Sequence, residues 1–208
     1  MGSCCENNCA VDALHNKQRG TLVKVLWINA IMFVAIVTAA LYAKSTALLS
    51  DSLDNLGDAL TYGLSLYAVS KGTSTKAKVA LFKGSLIFLA ACVVIAQVIY
   101  RLTNPVIPSY EVMSIFSIAG LLANSLCLYL LWQHRHEDIN MSSVFECSRN
   151  DIASNLSVIL AAVGIWLFNS GWPDIVVASL LAMLLLKSSA KVINDALKEL
   201  KLTSSSAD

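Results

Sequence analysis

The stretch from Leu48 to Ala59 decides how this chain can fold, and it reads Leu48-Leu49-Ser50-Asp51-Ser52-Leu53-Asp54-Asn55-Leu56-Gly57-Asp58-Ala59. Asp51, Asp54 and Asp58 stand at positions i, i+3 and i+7, a spacing that puts three carboxyl groups on one face of an α-helix. The stretch lies within a long apolar segment. It therefore predicts a membrane helix with one acidic face.

Long apolar blocks make up most of the remaining chain. Of its 208 residues, 56% are hydrophobic and only 14% are charged, whereas soluble domains are about 25% charged. This composition excludes an ordinary soluble enzyme domain, and a net charge of +1 argues against nucleic-acid binding. No block has the period-2 alternation of barrel strands, so we predict an all-α integral membrane protein with six transmembrane helices. The predicted spans are Val23–Ala43, Thr46–Val69, Val79–Tyr100, Tyr110–Trp132, Val144–Phe168 and Pro173–Leu186, the last being short unless it continues through Lys187.

Lysine and arginine are divided unevenly between the two sides of these spans. Thirteen of the fifteen fall on one side, and only Lys44 and Arg101 fall on the other. The positive-inside rule then predicts a multi-pass protein of the plasma membrane, or of the inner membrane in a bacterium, with both termini in the cytoplasm. We divide the chain into a cysteine-containing cytoplasmic tail over 1–21, a six-helix transmembrane domain over 22–190 and a short cytoplasmic tail over 191–208.

The free-energy cost of placing ionised aspartates inside the bilayer must be offset. Each ionised aspartate near the membrane centre costs about 2.5–3.5 kcal/mol on insertion scales. A proton, a basic partner, a water-filled cavity or a bound cation could offset that cost. Asp54 and Asp58 lie roughly two and three turns into the span, and we interpret them as functional. Asp51 lies nearer the external entry, where it could serve as a helix cap or as an acceptor behind the primary ligands.

The fifth span contains a matching set of side chains, Glu146-Cys147-Ser148-Arg149-Asn150-Asp151-Ile152-Ala153-Ser154-Asn155. Cys147, Asp151 and Asn155 recur every four residues and so share one helix face. If this face meets the acidic one, Cys147 and Asp151 could join Asp54 and Asp58 in a tetrahedral metal site. A thiolate among carboxylates favours zinc, cadmium or another borderline-to-soft divalent ion, although a buried cysteine can also be a packing residue.

The charge of such a site links metal to protons. Four ionised ligands around one divalent cation leave a net charge of about −2, so either Arg149 or a retained proton must reduce it. When the metal leaves, some ligands should take up protons. Competition between metal and protons for the same atoms is the physical basis of antiport. Asn155, like Arg149, is a candidate for supporting this site or lining the pathway.

From Lys44 to Asp58 the sequence resembles the second-helix signature of the cation diffusion facilitator family, in which a serine, an apolar run and an aspartate precede a His/Asp-x-x-x-Asp pair. Asp54 and Asp58 match that pair. In the fifth helix Asp151 matches the family's aspartate, and Cys147 stands where histidine or aspartate is usual. The resemblance covers about residues 20 to 195.

This resemblance implies a transporter rather than an enzyme. It implies a homodimer that exports zinc, or a similar divalent cation such as cadmium or cobalt, from the cytoplasm by alternating access in exchange for protons. The expected partners are the metal, protons, the lipid bilayer and a second copy, and no resident cofactor is expected. Many members carry a cytoplasmic domain after the sixth helix. We expect none here, as in the short members of the family.

Two predicted cytoplasmic segments could capture metal and deliver it to the entrance of the pathway. The N-terminal tail contains Cys4, Cys5 and Cys9, and the loop after the fourth span contains His134 and His136. Thiols and imidazoles bind soft and borderline metals. The alternatives are an unstructured tail and a solvated loop that only supplies positive charge.

Two alternatives to transport remain open at this stage. One is a metal-sensing or scaffold membrane subunit that does not transport, in which polar residues only fasten helices. The other is a metal-dependent intramembrane hydrolase, which is disfavoured because no HExxH set occurs. Cys92 and Cys127 have no acidic neighbours in the sequence and are expected to be packing residues.

Overall fold

The described part of the computed structural model contains six helices, which we number α1 to α6 in chain order. It describes residues 3–68, 73–132 and 139–205, with side chains at 19–64, 66, 78, 80–132, 148–198 and 200. The helices are α1 Ser3–Ala43, α2 Thr46–Ala68, α3 Thr73–Thr103, α4 Tyr110–Trp132, α5 Ile139–Phe168 and α6 Trp172–Ser205. Within these ranges there is no strand, and the prediction of an all-α, six-helix protein is confirmed.

Five of the six helices are long and apolar enough to cross a membrane. Their candidate spans are Arg19–Ala43, Ala80–Thr103, Tyr110–Trp132, Ser148–Phe168 and Trp172–Lys198. The remaining helix, α2, has a sufficient length of 23 residues but contains the three aspartates. It contacts α1, α3, α5 and α6, so its acidic face is shielded by protein instead of lipid.

Two helices extend further than the predicted segments. The span on α6 reaches Lys198 over 27 residues, whereas the apolar block ends at Leu186, because the lysines along its last turns can extend into the interface. At the other end of the chain, the backbone of 3–21 continues α1, although these residues were assigned to a tail.

The helices are arranged as a ring of four and an outer pair. Contacts between α1 and α2, α2 and α5, α5 and α4, and α4 and α1 close the ring, while α3 and α6 pair extensively and pack against α2. Large apolar side chains such as Val34, Leu122 and Leu160 are exposed on the outside, as expected for a surface in contact with lipid. The ring thus has an apolar exterior and an interior in which polar side chains can meet.

The beginning of α2 is fixed to α6 by a buried carboxylate. Asp174, only 2% exposed, accepts hydrogen bonds from Ser45 Oγ at 2.6 Å, Thr46 N at 2.8 Å and Ala47 N at 3.1 Å. Ser45 Oγ in turn accepts one from Leu48 N at 3.0 Å. These bonds satisfy amides that an uncapped helix would leave unpaired. Asp174 therefore fixes the position of the helix that carries the acidic face.

Removal of this carboxylate should destabilise the protein. In Asp174→Ala, two buried amides and the Ser45 hydroxyl lose their acceptor, at an expected cost of roughly 2–4 kcal/mol. Thermal unfolding of the purified protein in detergent measures the effect. Asp174→Asn keeps one acceptor oxygen, so its unfolding temperature should lie between those of the parent and Asp174→Ala. Asp195→Ala, at an exposed position of the same helix, should leave the unfolding temperature unchanged. Equal stability of Asp174→Ala and the parent would contradict this role.

Candidate metal site

Carboxyl groups from two helices meet inside the ring. Asp58 on α2 and Asp151 on α5 are 8% and 6% exposed, and their side chains lie next to each other. Two ionised carboxylates so close together repel each other, so either a proton or a cation would stabilise the pair. The structure therefore brings together one aspartate from each predicted pair.

The third carboxyl group is joined to α5 by a hydroxyl group. Asp54 is half-buried, and its Oδ2 accepts a hydrogen bond from Ser154 Oγ at 3.1 Å. Ser154 comes one turn after Asp151, and Asp54 comes one turn before Asp58. Because α2 and α5 run in opposite directions, the two contacts form successive levels along one interface.

A tyrosine and a lysine complete the surroundings of Asp58. Tyr62 Oη donates to Asp58 Oδ2 at 2.5 Å. Lys83 on α3 contributes a positive charge near Asp58. The packing supports that placement: a Cβ at Gly57 would lie 3.7 Å from Ile87 Cδ1, and Lys83 precedes Ile87 by one helical turn. A basic partner thus comes from α3 for the pair Asp58 and Asp151 and the neighbouring Asp54, which we call the carboxyl cluster.

Asp51 does not cap its helix, since Ser45 and Asp174 fill that role. It is 1% exposed, and neither of its carboxyl oxygens has a hydrogen-bond partner in the structure. The side chain lies one turn from Asp54 towards the beginning of α2. The cap interpretation of Asp51 is therefore not supported, and a role as an acceptor behind the primary ligands stays a prediction.

Asn155 supports Asp151 through the backbone. Its Nδ2 donates to the carbonyl oxygen of Asp151 at 2.8 Å, and its Oδ1 lies against Gly120 of α4, so close that a Cβ there would clash. The Arg149 side chain, by contrast, is exposed. The structure therefore places Asn155 with the carboxyl cluster and Arg149 at the surface.

The remaining predicted ligands lie partly outside the described residues. The backbone of Cys147 is in α5, four residues before Asp151, but its side chain is outside the described part, as are those of Cys4, Cys5 and Cys9 in α1. His134 and His136 fall between the described ranges. Among the described side chains, no three His, Cys, Asp or Glu residues are close enough to form a metal-binding group.

Cys127 has no acidic neighbours in the sequence and is predicted to be a packing residue. Its side chain is fully buried, its Sγ lies 3.8 Å from Asn29 Nδ2, and the fold places it near Asp151 and Asp58. Cys127 is on α4, so neighbours in the sequence could not reveal this proximity. Its buried position is consistent with packing, but its surroundings include the carboxyl cluster.

The sequence also matches a family model. The cation efflux transmembrane domain matches residues 22–201 of this chain. The chain belongs to the cation efflux family. This result confirms the resemblance to the cation diffusion facilitators and places the chain in a family of multi-pass membrane transporters, not of enzymes.

Curated relatives in this family have names that refer to metal efflux. A cadmium, cobalt and zinc/H(+)-K(+) antiporter of Bacillus subtilis is 27% identical over 201 residues, which cover 88% of this chain and 65% of that protein. The metal cation efflux system protein CzcD of Cupriavidus metallidurans is 26% identical over 181 residues, or 77% of this chain and 57% of that protein. The chain thus spans about three fifths of the length of these cation efflux relatives.

The close contact at Gly120 yields a test of the site's architecture. In Gly120→Ala the new methyl group would collide with Asn155 Oδ1, so either α4 must move or Asn155 must release the Asp151 carbonyl. We expect a loss of about 1–3 kcal/mol in stability, measured by thermal unfolding in detergent. Gly20→Ala is the matched control, because a Cβ there meets nothing within 4 Å. Equal behaviour of the two variants would refute the proposed close packing.

Proposed function

We propose that this protein exports a divalent heavy-metal cation from the cytoplasm in exchange for protons. The observation that carries the proposal is the contact between Asp58 and Asp151 in the interior of the ring. Buried carboxyl groups are costly for helix association alone, for which serine, threonine and asparagine suffice. Two carboxyl groups this close together can bind either a proton or a cation, and the two compete for the same oxygen atoms.

The proposed ligands are Asp54, Asp58, Asp151 and Cys147. Three of these provide hard carboxylate oxygens, and the cysteine provides a sulfur that favours zinc or cadmium over magnesium and calcium. Zinc is the proposed principal substrate, with cadmium and cobalt as further candidates. The name of the Bacillus subtilis relative, a cadmium, cobalt and zinc/H(+)-K(+) antiporter, supports this range of metals, and the name of the Cupriavidus metallidurans relative supports metal cation efflux.

The carboxyl oxygen atoms that would bind the metal also explain the proposed exchange for protons. A proton must leave before both carboxyl groups of Asp58 and Asp151 can coordinate a cation, and a proton must return when the cation departs. If the protein carries the cation and protons across the membrane in opposite directions, a proton gradient drives the metal out of the cell. We further propose a homodimer in the plasma membrane with both termini in the cytoplasm, as the lysine and arginine distribution predicts.

Transport by the reconstituted protein tests this proposal. In proteoliposomes with an imposed pH gradient, the parent should carry zinc or cadmium, and Asp58→Asn and Asp151→Asn should each reduce the flux at least about tenfold, as expected from the loss of a ligand. Asp195→Asn is the charge-matched control, since that side chain is exposed on α6. Flux that is absent in the parent, or that both site variants leave unchanged, would disprove transport through this site.

Metal preference tests the sulfur ligand separately. Cys147→Asp retains a ligand atom but replaces a soft donor with a hard one, so the ratio of cadmium flux to zinc flux should fall. The same proteoliposomes measure it, with Cys92→Ala as a control for loss of a thiol on α3. A ratio that does not fall would remove Cys147 from the coordination sphere while leaving the carboxylates in place.

A further inference from the structure

An apolar cluster packs ring helices together towards the end at which α1 begins and α6 ends. We name it the terminal plug, and it consists of Leu22, Val25, Tyr62, Cys127 and Leu131. Every member is at most 5% exposed. These residues come from α1, α2 and α4, so their packing joins three of the four ring helices. Asp58 lies next to the terminal plug, because it accepts a hydrogen bond from Tyr62.

Tyr62 belongs both to the terminal plug and to the metal site. Its ring is fully buried in the plug, whereas its hydroxyl group donates to Asp58 Oδ2 at 2.5 Å. Tyr62 and Asp58 are one helical turn apart on α2, so the bond needs no rearrangement of the backbone. The Tyr62 side chain therefore connects the packing of the terminal plug to Asp58 Oδ2, an oxygen atom that would coordinate a metal.

We propose that Tyr62 is a positioning residue that competes with the metal for Asp58 Oδ2 while the terminal plug is closed. The inference rests on the proposed function, because it assigns Asp58 to cation binding. A hydrogen bond to a carboxylate is stronger than one between neutral groups. The Tyr62 hydroxyl group occupies one lone-pair direction of Oδ2, so a cation that approaches along that direction must displace it and break this hydrogen bond, which costs free energy.

The competition lowers metal affinity in one conformation and not in the other. When the terminal plug separates, Tyr62 can leave Asp58, and both oxygens of that carboxyl group become available. When the plug closes, the hydroxyl group returns and the site binds the cation more weakly. Only such a difference in affinity can bias a conformational equilibrium. The cation is therefore favoured to leave towards the opposite end of the ring.

Metal binding by Tyr62→Phe tests the proposal directly. Phenylalanine keeps the ring in the terminal plug and removes only the hydroxyl group. For the purified full chain in detergent, titration with Cd²⁺ should give a Kd about tenfold lower than that of the parent, the effect of one hydrogen bond to a charged group. In proteoliposomes, both the half-saturating cadmium concentration and the maximal flux should fall, because release becomes slower. Tyr129→Phe, at a position that is 70% exposed on α4, is the matched control.

The results separate this inference from the proposed function. If the Kd of Tyr62→Phe is unchanged or higher while the parent transports cadmium, the competition is disproved and the transport proposal is not affected. A higher Kd would mean that the hydroxyl group orients Asp58 for metal binding. A lower Kd without flux in the parent supports the competition and disproves transport. Alkylation of Cys127 without metal supplies a second measurement. It should be several-fold faster in Tyr62→Phe if the hydrogen bond helps hold the plug closed, and an unchanged rate would overturn that coupling.

Discussion

Carboxyl groups held inside a bundle that faces lipid impose the constraint on which the rest of this structure depends. An ionised aspartate at the membrane centre costs about 2.5–3.5 kcal/mol, and α2 alone contains three. The protein reduces this cost in a different way at each level. Asp58 has Tyr62 and the nearby charge of Lys83, Asp54 has Ser154, and Asp58 and Asp151 lie close enough to share a proton or a cation. Each of these contacts can be broken without unfolding a helix.

The division of the helices into a ring and an outer pair follows from the same constraint. An acidic face can be kept from lipid only if other helices cover it, and α2 is covered by α1, α3, α5 and α6. Close approach of the helices requires small residues where they meet. Gly120 meets Asn155, and Gly84 on α3 lies against Val192 and Ile193 of α6. Asp174 adds a polar anchor at the beginning of α2, so the register of that helix does not depend on apolar contacts alone.

Regular spacing within a helix could be interpreted from the sequence, whereas contacts between helices could not. The positions of Asp54, Asp58 and Asp151 predicted which side chains share a face, and the apolar blocks predicted six helices. The length of α6 was underestimated because its apolar block ends before the helix does. The roles of Tyr62, Gly120 and Cys127 depend on which turns of neighbouring helices lie side by side. That register is determined by packing, for which hydropathy contains no signal.

The two ends of the ring differ in how they are joined to the carboxyl groups. Towards the beginning of α2, an apolar cluster that includes Ile36, Met113 and Val158 packs side chains from α1, α2, α4, α5 and α6, and each of its members is apolar. The terminal plug packs side chains from α1, α2 and α4, and through Tyr62 it is hydrogen-bonded to Asp58. Between membrane helices such contacts stabilise by van der Waals packing, which does not depend on a charge nearby. A cation that competes for an oxygen atom of Asp58 can therefore act on the terminal plug through one side chain, whereas the apolar cluster at the other end offers no polar group on which it could act.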